Sequence, residues 1–397
     1  MNCLSCNSKC ELVYDFGLMP LVNSFYTDED IHLEKKYPLE LYVCTSCFLM
    51  QIGKAPDPSE VYTEYHHLSS ASQGNRSHLE SVAAFIKNNF GSDLKVLEIG
   101  ANDLYLTNLL KENPTVLAVD PAKNINKDQK NLIRDFFNLE SSKKIKTEYG
   151  DFDLIIGLNV FAHNEDFKNM FLAAKSLMHD DSILMVEVAY ALETICDGNF
   201  DTIYHEHVCS YSLLSLENLF NDINLKINYV EKLDTQGGSL RLLISKNSKL
   251  NLENNLYNEI SKNEKRLGLD KIDFYKNVSS QIKRKIENLN NFVTQINDES
   301  SALLILGAPA RGVITLNSIS DIEAEVSIID DTIFKQDKLM PGVHFKIHDW
   351  DIDLSKFTNC LILSWNYSQY LNEKLIKKGF NGKVFVPFPE FLELETN

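Results

Sequence analysis

Lys95-Val96-Leu97-Glu98-Ile99-Gly100 is a short apolar run closed by a glycine, the pattern of a buried strand that turns sharply at its end. Leu106, Leu109 and Leu110 share one face of a helix that opens just behind it. Val116-Leu117-Ala118-Val119-Asp120 is a second strand with an acid at its end. Leu154-Ile155-Ile156-Gly157-Leu158 is a third, and Ile183-Leu184-Met185-Val186-Glu187 a fourth. Strands alternating with helical stretches predict a parallel sheet wrapped by helices. Upstream, Leu79, Val82 and Ile86 recur at helical spacing between about Asn75 and Asn89.

Downstream of Leu240-Arg241-Leu242-Leu243-Ile244 the composition shifts to Asn, Glu and Lys. Ile272, Tyr275, Ile282, Ile286, Leu289, Val293 and Ile296 then mark one face of a long amphipathic helix. It leads into a second α/β unit, with strands at Leu303-Leu304-Ile305-Leu306-Gly307, Val326-Ser327-Ile328-Ile329-Asp330, Cys360-Leu361-Ile362-Leu363-Ser364 and Lys383-Val384-Phe385-Val386. A chain of 397 residues is too long for one ordinary core. The expected division is a small module over residues 1–70, a central α/β domain over 71–250 and a second α/β domain over 251–397.

Cys3 and Cys6 form a Cys-x-x-Cys pair, and Cys44 and Cys47 form another. Two such doublets supply the four thiolates that tetrahedral zinc prefers, so residues 1–70 read as a zinc-pinned, β-rich module. Cys10 lacks a partner at matching spacing, and Cys196, Cys209 and Cys360 are scattered, as packed reduced thiols would be. No apolar run reaches the roughly 18–20 residues that cross a bilayer. A cytoplasmic protein is expected, with no membrane partner. The net charge of −17 argues against nucleic acid, which needs a concentrated basic face. Lys283-Arg284-Lys285, the one basic cluster, reads as the solvated side of the long helix.

Gly100 lets the backbone approach a ligand, and Asp120, about 20 residues on, is placed to accept ribose hydroxyls. An acid at Glu98 and the absence of a full Gly-x-Gly-x-x-Gly favour S-adenosylmethionine over a dinucleotide. Asn159, at the end of the third strand, would sit near the methionine end. The chemistry signal is Tyr204-His205-Glu206-His207, four proton-handling groups in a row. In an extended segment Tyr204 and Glu206 share a side, whereas in a helical turn Tyr204 shares a face with His207. Histidine suits general-base work near neutral pH, and a glutamate beside it can orient the ring.

Taken in order, these segments resemble the sugar C-methyltransferases that act on nucleotide-linked 4-keto-deoxysugars, including the C-3′ methyltransferases of antibiotic sugar pathways. The resemblance covers nearly the whole chain. It rests on the four cysteines, Leu97-Glu98-Ile99-Gly100-Ala101-Asn102-Asp103, Asp120-Pro121-Ala122 and Asn159-Val160-Phe161-Ala162-His163. It continues through Phe200-Asp201-Thr202-Ile203-Tyr204-His205-Glu206-His207, Gly237-Gly238-Ser239-Leu240-Arg241, Gly307-Ala308-Pro309-Ala310-Arg311-Gly312 and Met340-Pro341-Gly342-Val343-His344.

The resemblance implies a class I methyltransferase domain between a zinc module and a Rossmann-like C-terminal domain that helps hold a dTDP- or GDP-linked sugar. It implies S-adenosylmethionine and a structural zinc as cofactors, with a monomer expected. The implied cofactor residues are Glu98, Gly100, Asn102, Asp120 and Asn159. His207 would remove the proton beside the ketone, with Tyr204 and Glu206 around the sugar; Tyr65, Arg241, Arg311 and His344 would bind substrate. Polysaccharide or natural-product deoxysugar biosynthesis is the implied setting. Leu104 stands where methyltransferases usually carry glycine, which puts a branched side chain where the loop should pass the cofactor. Gln236 and Arg311 replace a histidine and a lysine common in the family. Loss of the methyl donor would leave an epimerase or isomerase, or a non-catalytic nucleotide-sugar binder.

Overall fold

The computed structural model describes residues 1–57, 68–70, 72–124, 129–247, 250, 252–299 and 301–395. β1 (Cys10–Pro20), β2 (Lys36–Cys44) and β3 (Met50–Ile52) form an antiparallel meander at the N-terminus. Leu39, Leu41 and Val43 alternate inward along β2 and are buried, as a one-faced antiparallel sheet requires.

The central sheet begins with β4 (Lys95–Ile99), β5 (Thr115–Val119), β6 (Leu132–Ile133), β7 (Phe152–Leu158) and β8 (Met178–Ala189), each parallel to its neighbour. β9 (Cys209–Ser210) leaves this domain and pairs with β3, joining the N-terminal sheet as its fourth strand. β10 (Lys226–Leu233) and β11 (Ser239–Ser245) complete the central sheet, in the order β10-β11-β8-β7-β4-β5-β6, with β11 antiparallel to both neighbours. Val96, Leu154, Ile156 and Met185 pack under the helix Gln73–Phe90, while Leu97, Ile155 and Leu184 face the other way into the main core. Both faces are covered, which is why these strands read as unbroken apolar runs. Ser72 caps that helix through Asn75 N–H, and Gly91 ends it at φ +84°.

The helix Ile272–Asp298 leads to a third sheet, of β12 (Leu303–Leu306), β13 (Val326–Ile329), β14 (Ile347–His348), β15 (Asn359–Ile362), β16 (Lys383–Val386) and β17 (Leu392–Leu394). Its order is β14-β13-β12-β15-β16-β17, parallel except for β17. Lys285 departs from the expected solvated face. It is buried, and its ammonium reaches Asn199 Oδ1 and Pro389 O, while Lys283 and Arg284 are exposed. Among the described residues, no helix is long and apolar enough to cross a membrane.

Candidate functional site

Two loops meet at the carboxyl ends of β4 and β7. Gly100 has φ +69°, and a Cβ there would come within 2.7 Å of Val160 Cγ2, so this approach requires glycine. Asp120 ties the loop down: Asn102 N–H donates to its Oδ2 at 2.8 Å and Ala122 N–H to its Oδ1 at 2.9 Å. Each oxygen keeps a second lone pair for a ligand hydroxyl. Asn159 follows β7 at φ +53°, held by its N–H to Glu187 O at 2.8 Å. Ser69 N–H donates to Asn102 Oδ1 and Ser70 N–H to Asp103 Oδ2, both at 2.9 Å, so residues 69–70 lie against this loop. The tight turn and terminal carboxylate fit the adenosine end of S-adenosylmethionine. Glu98 takes a supporting place: it accepts the Thr107 hydroxyl of the following helix, and burial pushes its carboxyl up to about 7.

Leu104 does not project toward the cofactor side. It adopts the left-handed region glycine would favour (φ 62°, ψ 20°), and its buried side chain packs on Ala101, Ala118 and Leu132 beneath the loop. The left-handed backbone costs about 1–2 kcal/mol, whereas truncating a buried leucine costs about 2–5 kcal/mol. Leu104→Gly should therefore lower stability by up to about 4 kcal/mol and leave S-adenosylmethionine affinity within about threefold. Denaturant unfolding and titration calorimetry read the two effects separately.

Tyr204 to His207 form a turn closed by His207 N–H to Tyr204 O at 2.8 Å, so Tyr204 and His207 share a face. Their rings lie 3.9 Å apart and the phenol oxygen is 2.8 Å from His207 Nε2. His207 Nδ1 is 2.9 Å from Thr202 O. A carbonyl only accepts, so Nδ1 carries the proton and Nε2 presents its lone pair to the Tyr204 O–H. Desolvation, followed by the positive charges of His163 and Arg311, pushes His207 down to about 3. Burial drives the Tyr204 phenol far up, so it stays protonated and donates.

Glu206 and His205 turn away from this pair toward the N-terminal module. Asn23 Nδ2–H donates to Glu206 Oε1 at 2.6 Å, and burial pushes that carboxyl up to about 7. His205 Nε2 lies 3.2 Å from Pro38 O. The backbone carbonyl of Thr202, rather than Glu206, orients the His207 ring. His163, given no role from sequence, meets His207 edge-on at 5.2 Å between centroids.

The C-terminal domain brings Arg311 to the same place. The helix Ala310–Asn317 packs on the turn Phe200–Thr202, and the guanidinium lies against Gly237 and over Trp365. Arg241, expected at the substrate, is instead committed inside the central sheet. Its cross-strand neighbours are Glu231 and Glu187, and it is paired to both, at 3.0 Å and 2.7 Å. Glu187 is also held by His78 Nε2 at 2.7 Å. His344, likewise expected at the substrate, pairs with Glu34 Oε2 at 2.8 Å and links the C-terminal domain to the N-terminal module. Tyr65 lies outside the described residues.

Cys3, Cys6, Cys44 and Cys47 place their sulfurs within 4.8 Å of one another. The Cys3–Cys47 and Cys6–Cys44 separations are 3.5 and 3.4 Å, close to the edge of about 3.8 Å that tetrahedral Zn–S bonds of ~2.3 Å require. Ser5 N–H donates to Cys3 Sγ, and Ser46 N–H to Cys44 Sγ, both at 3.3 Å, as suits thiolate ligands. The set fits zinc, and Cys10, buried nearby, is not part of it.

Three family profiles match in succession: a zinc binding domain over residues 3–62, a methyltransferase domain over 72–230 and a C-methyltransferase C-terminal domain over 234–389. The chain is 28% identical over 392 residues to the C-methyltransferase NovU of Streptomyces niveus, an alignment covering 95% of this chain and 93% of that protein. Among solved structures it is similar to magnesium protoporphyrin IX methyltransferase from Synechocystis PCC 6803, at 17% identity and a TM-score of 0.32, covering 44% of this chain and 84% of the other. A SAM-dependent methyltransferase from Anabaena variabilis gives 14% identity and a TM-score of 0.35, covering 44% and 85%.

Proposed function

We propose that the chain is an S-adenosylmethionine-dependent C-methyltransferase whose acceptor is a nucleotide-linked 4-keto-deoxysugar and whose base is His207, a reading supported by the three successive family profiles and the likeness to a C-methyltransferase along the whole chain. The observation that carries this reading is the Tyr204–His207 pair, 2.8 Å apart, with Arg311 of the next domain brought beside it. A neutral imidazole can remove the proton beside a ketone, a phenol can donate to the enolate oxygen, and a guanidinium can hold a diphosphate.

Gly100, Asn102, Asp120 and Asn159 would hold S-adenosylmethionine, which when bound would supply the electrophilic methyl group. His207 Nε2 takes the proton from the carbon beside the ketone, and the electron pair of that C–H bond moves into the enolate. The Tyr204 hydroxyl turns from Nε2 to the ketone oxygen, where the negative charge develops. Thr202 O keeps Nδ1–H in place as the ring becomes cationic. Arg311 offers its charge to the diphosphate, and that anion offsets the guanidinium's depression of His207, making the base stronger when substrate is bound.

Purified protein incubated with methyl-labelled S-adenosylmethionine and dTDP- or GDP-linked 4-keto-deoxysugars should yield labelled sugar with the methyl group on the carbon beside the ketone. Label on oxygen or nitrogen, or no transfer to any keto-sugar by folded, cofactor-binding protein, would overturn the proposal.

A further inference from the structure

The segment that carries the base is tied to the C-terminal domain by a buried hydrogen bond as well as by packing. Trp365, just beyond β15, donates its indole N–H to Asp201 Oδ2 at 2.7 Å. Asp201 is wholly buried, and its Oδ1 has no hydrogen-bond partner among the described residues. Removing the indole N–H would take from this buried carboxyl the hydrogen bond that Oδ2 accepts. The same indole lies under the Arg311 guanidinium, 5.6 Å from its ring centroid, and 6.0 Å from Phe388. Phe388 in turn packs edge-on against Phe200, the residue before Asp201. On the other side, Lys285 of the long helix holds Asn199 Oδ1 at 3.3 Å. The short turn Phe200–Thr202 is therefore pinned from outside its own domain.

Thr202, next after Asp201, is the residue whose carbonyl receives His207 Nδ1–H at 2.9 Å. A carbonyl displaced by a few tenths of an ångström weakens that bond. The neutral ring is then free to carry its proton on Nε2, the atom that must be bare to act as a base. We propose that Trp365, acting through Asp201 and the Thr202 carbonyl, is the positioning residue that fixes the His207 tautomer, so that the C-terminal domain governs the base of the central domain. The proposal deepens the reading of His207 as base and rests on it for its kinetic consequence, though not for its structural one.

The test is nitrogen NMR on full-length, histidine-labelled protein, with His207 identified by the signal lost in His207→Gln. The native ring should show a protonated Nδ1 and a bare Nε2. Trp365→Phe, which removes only the donor, should shift the ring toward a mixture of tautomers. In methyl transfer the same variant should lower kcat about tenfold to a hundredfold with both KM values within about threefold, a split that a general loss of folded protein does not produce. Should Trp365→Phe fold poorly, site-specific benzothienylalanine at 365 keeps the shape and replaces N–H by sulfur. An unchanged His207 spectrum in either folded variant overturns the proposal. Because the spectrum needs no substrate, full activity in His207→Gln would count against His207 as base and leave the positioning result to be judged separately.

Discussion

Replacing His207 with alanine should lower methyl transfer by about a hundredfold to ten-thousandfold, the range of a positioned general base. S-adenosylmethionine affinity should stay within about threefold, since the cofactor loop at Gly100 to Asp120 is held by its own contacts. Tyr204→Phe should cost less, because it removes one donor to the enolate oxygen and leaves the base in place. The pH profile follows from the direction of the His207 shift. The base works unprotonated, so the rate is lost as pH falls through the pKa of the folded, substrate-bound ring. Burial holds that value below the ordinary 6.5. The wild-type rate should therefore be level through neutral pH, with an acid limb below 6.5 that His207→Ala lacks.

Loss of zinc should have the second large effect, and it should act through folding. Apparent zinc-binding energies at structural sites in zinc-finger peptides are about 10–16 kcal/mol near neutral pH, and in small modules that energy is folding energy. Cys44→Ser or prolonged chelation should unfold the N-terminal sheet. That sheet includes β9, which begins two residues after His207, and the module also holds Glu206 through Asn23 and His205 through Pro38. Activity should thus fall together with the near-ultraviolet signature of the N-terminal aromatics, while S-adenosylmethionine still binds. Cadmium, which also accepts four thiolates, should restore both. Activity lost with the fold intact, and not recovered with cadmium, would instead make the metal catalytic.

The architecture was largely legible because the inner parallel strands are buried on both faces and so spell themselves as apolar runs. β4, β5, β7 and β12 fall where those runs lie, and the long helix spans Ile272–Asp298 along the predicted face. β10 carries Lys226, Asn228, Glu231 and Lys232, and its half-exposed alternation hid it. β9 is two residues long and has no period to read. At the site, the turn that brings Tyr204 to His207 was one of two conformations the sequence allowed. Arg241 was misplaced because only the strand register reveals Glu187 and Glu231 beside it. The fate of Leu104 depended on a backbone angle, and the Asp201–Trp365 bond joins residues 164 positions apart. Neither leaves a local trace.

The central claim, that His207 enolises a keto-sugar, is tested most directly by hydrogen exchange in deuterated water. Protein is incubated with a dTDP- or GDP-linked 4-keto-deoxysugar and S-adenosylhomocysteine, which fills the cofactor loop without a methyl group to give. The account predicts deuterium at the carbon beside the ketone with the wild-type protein and none above background with His207→Ala. Exchange that persists at the wild-type rate in His207→Ala would contradict it.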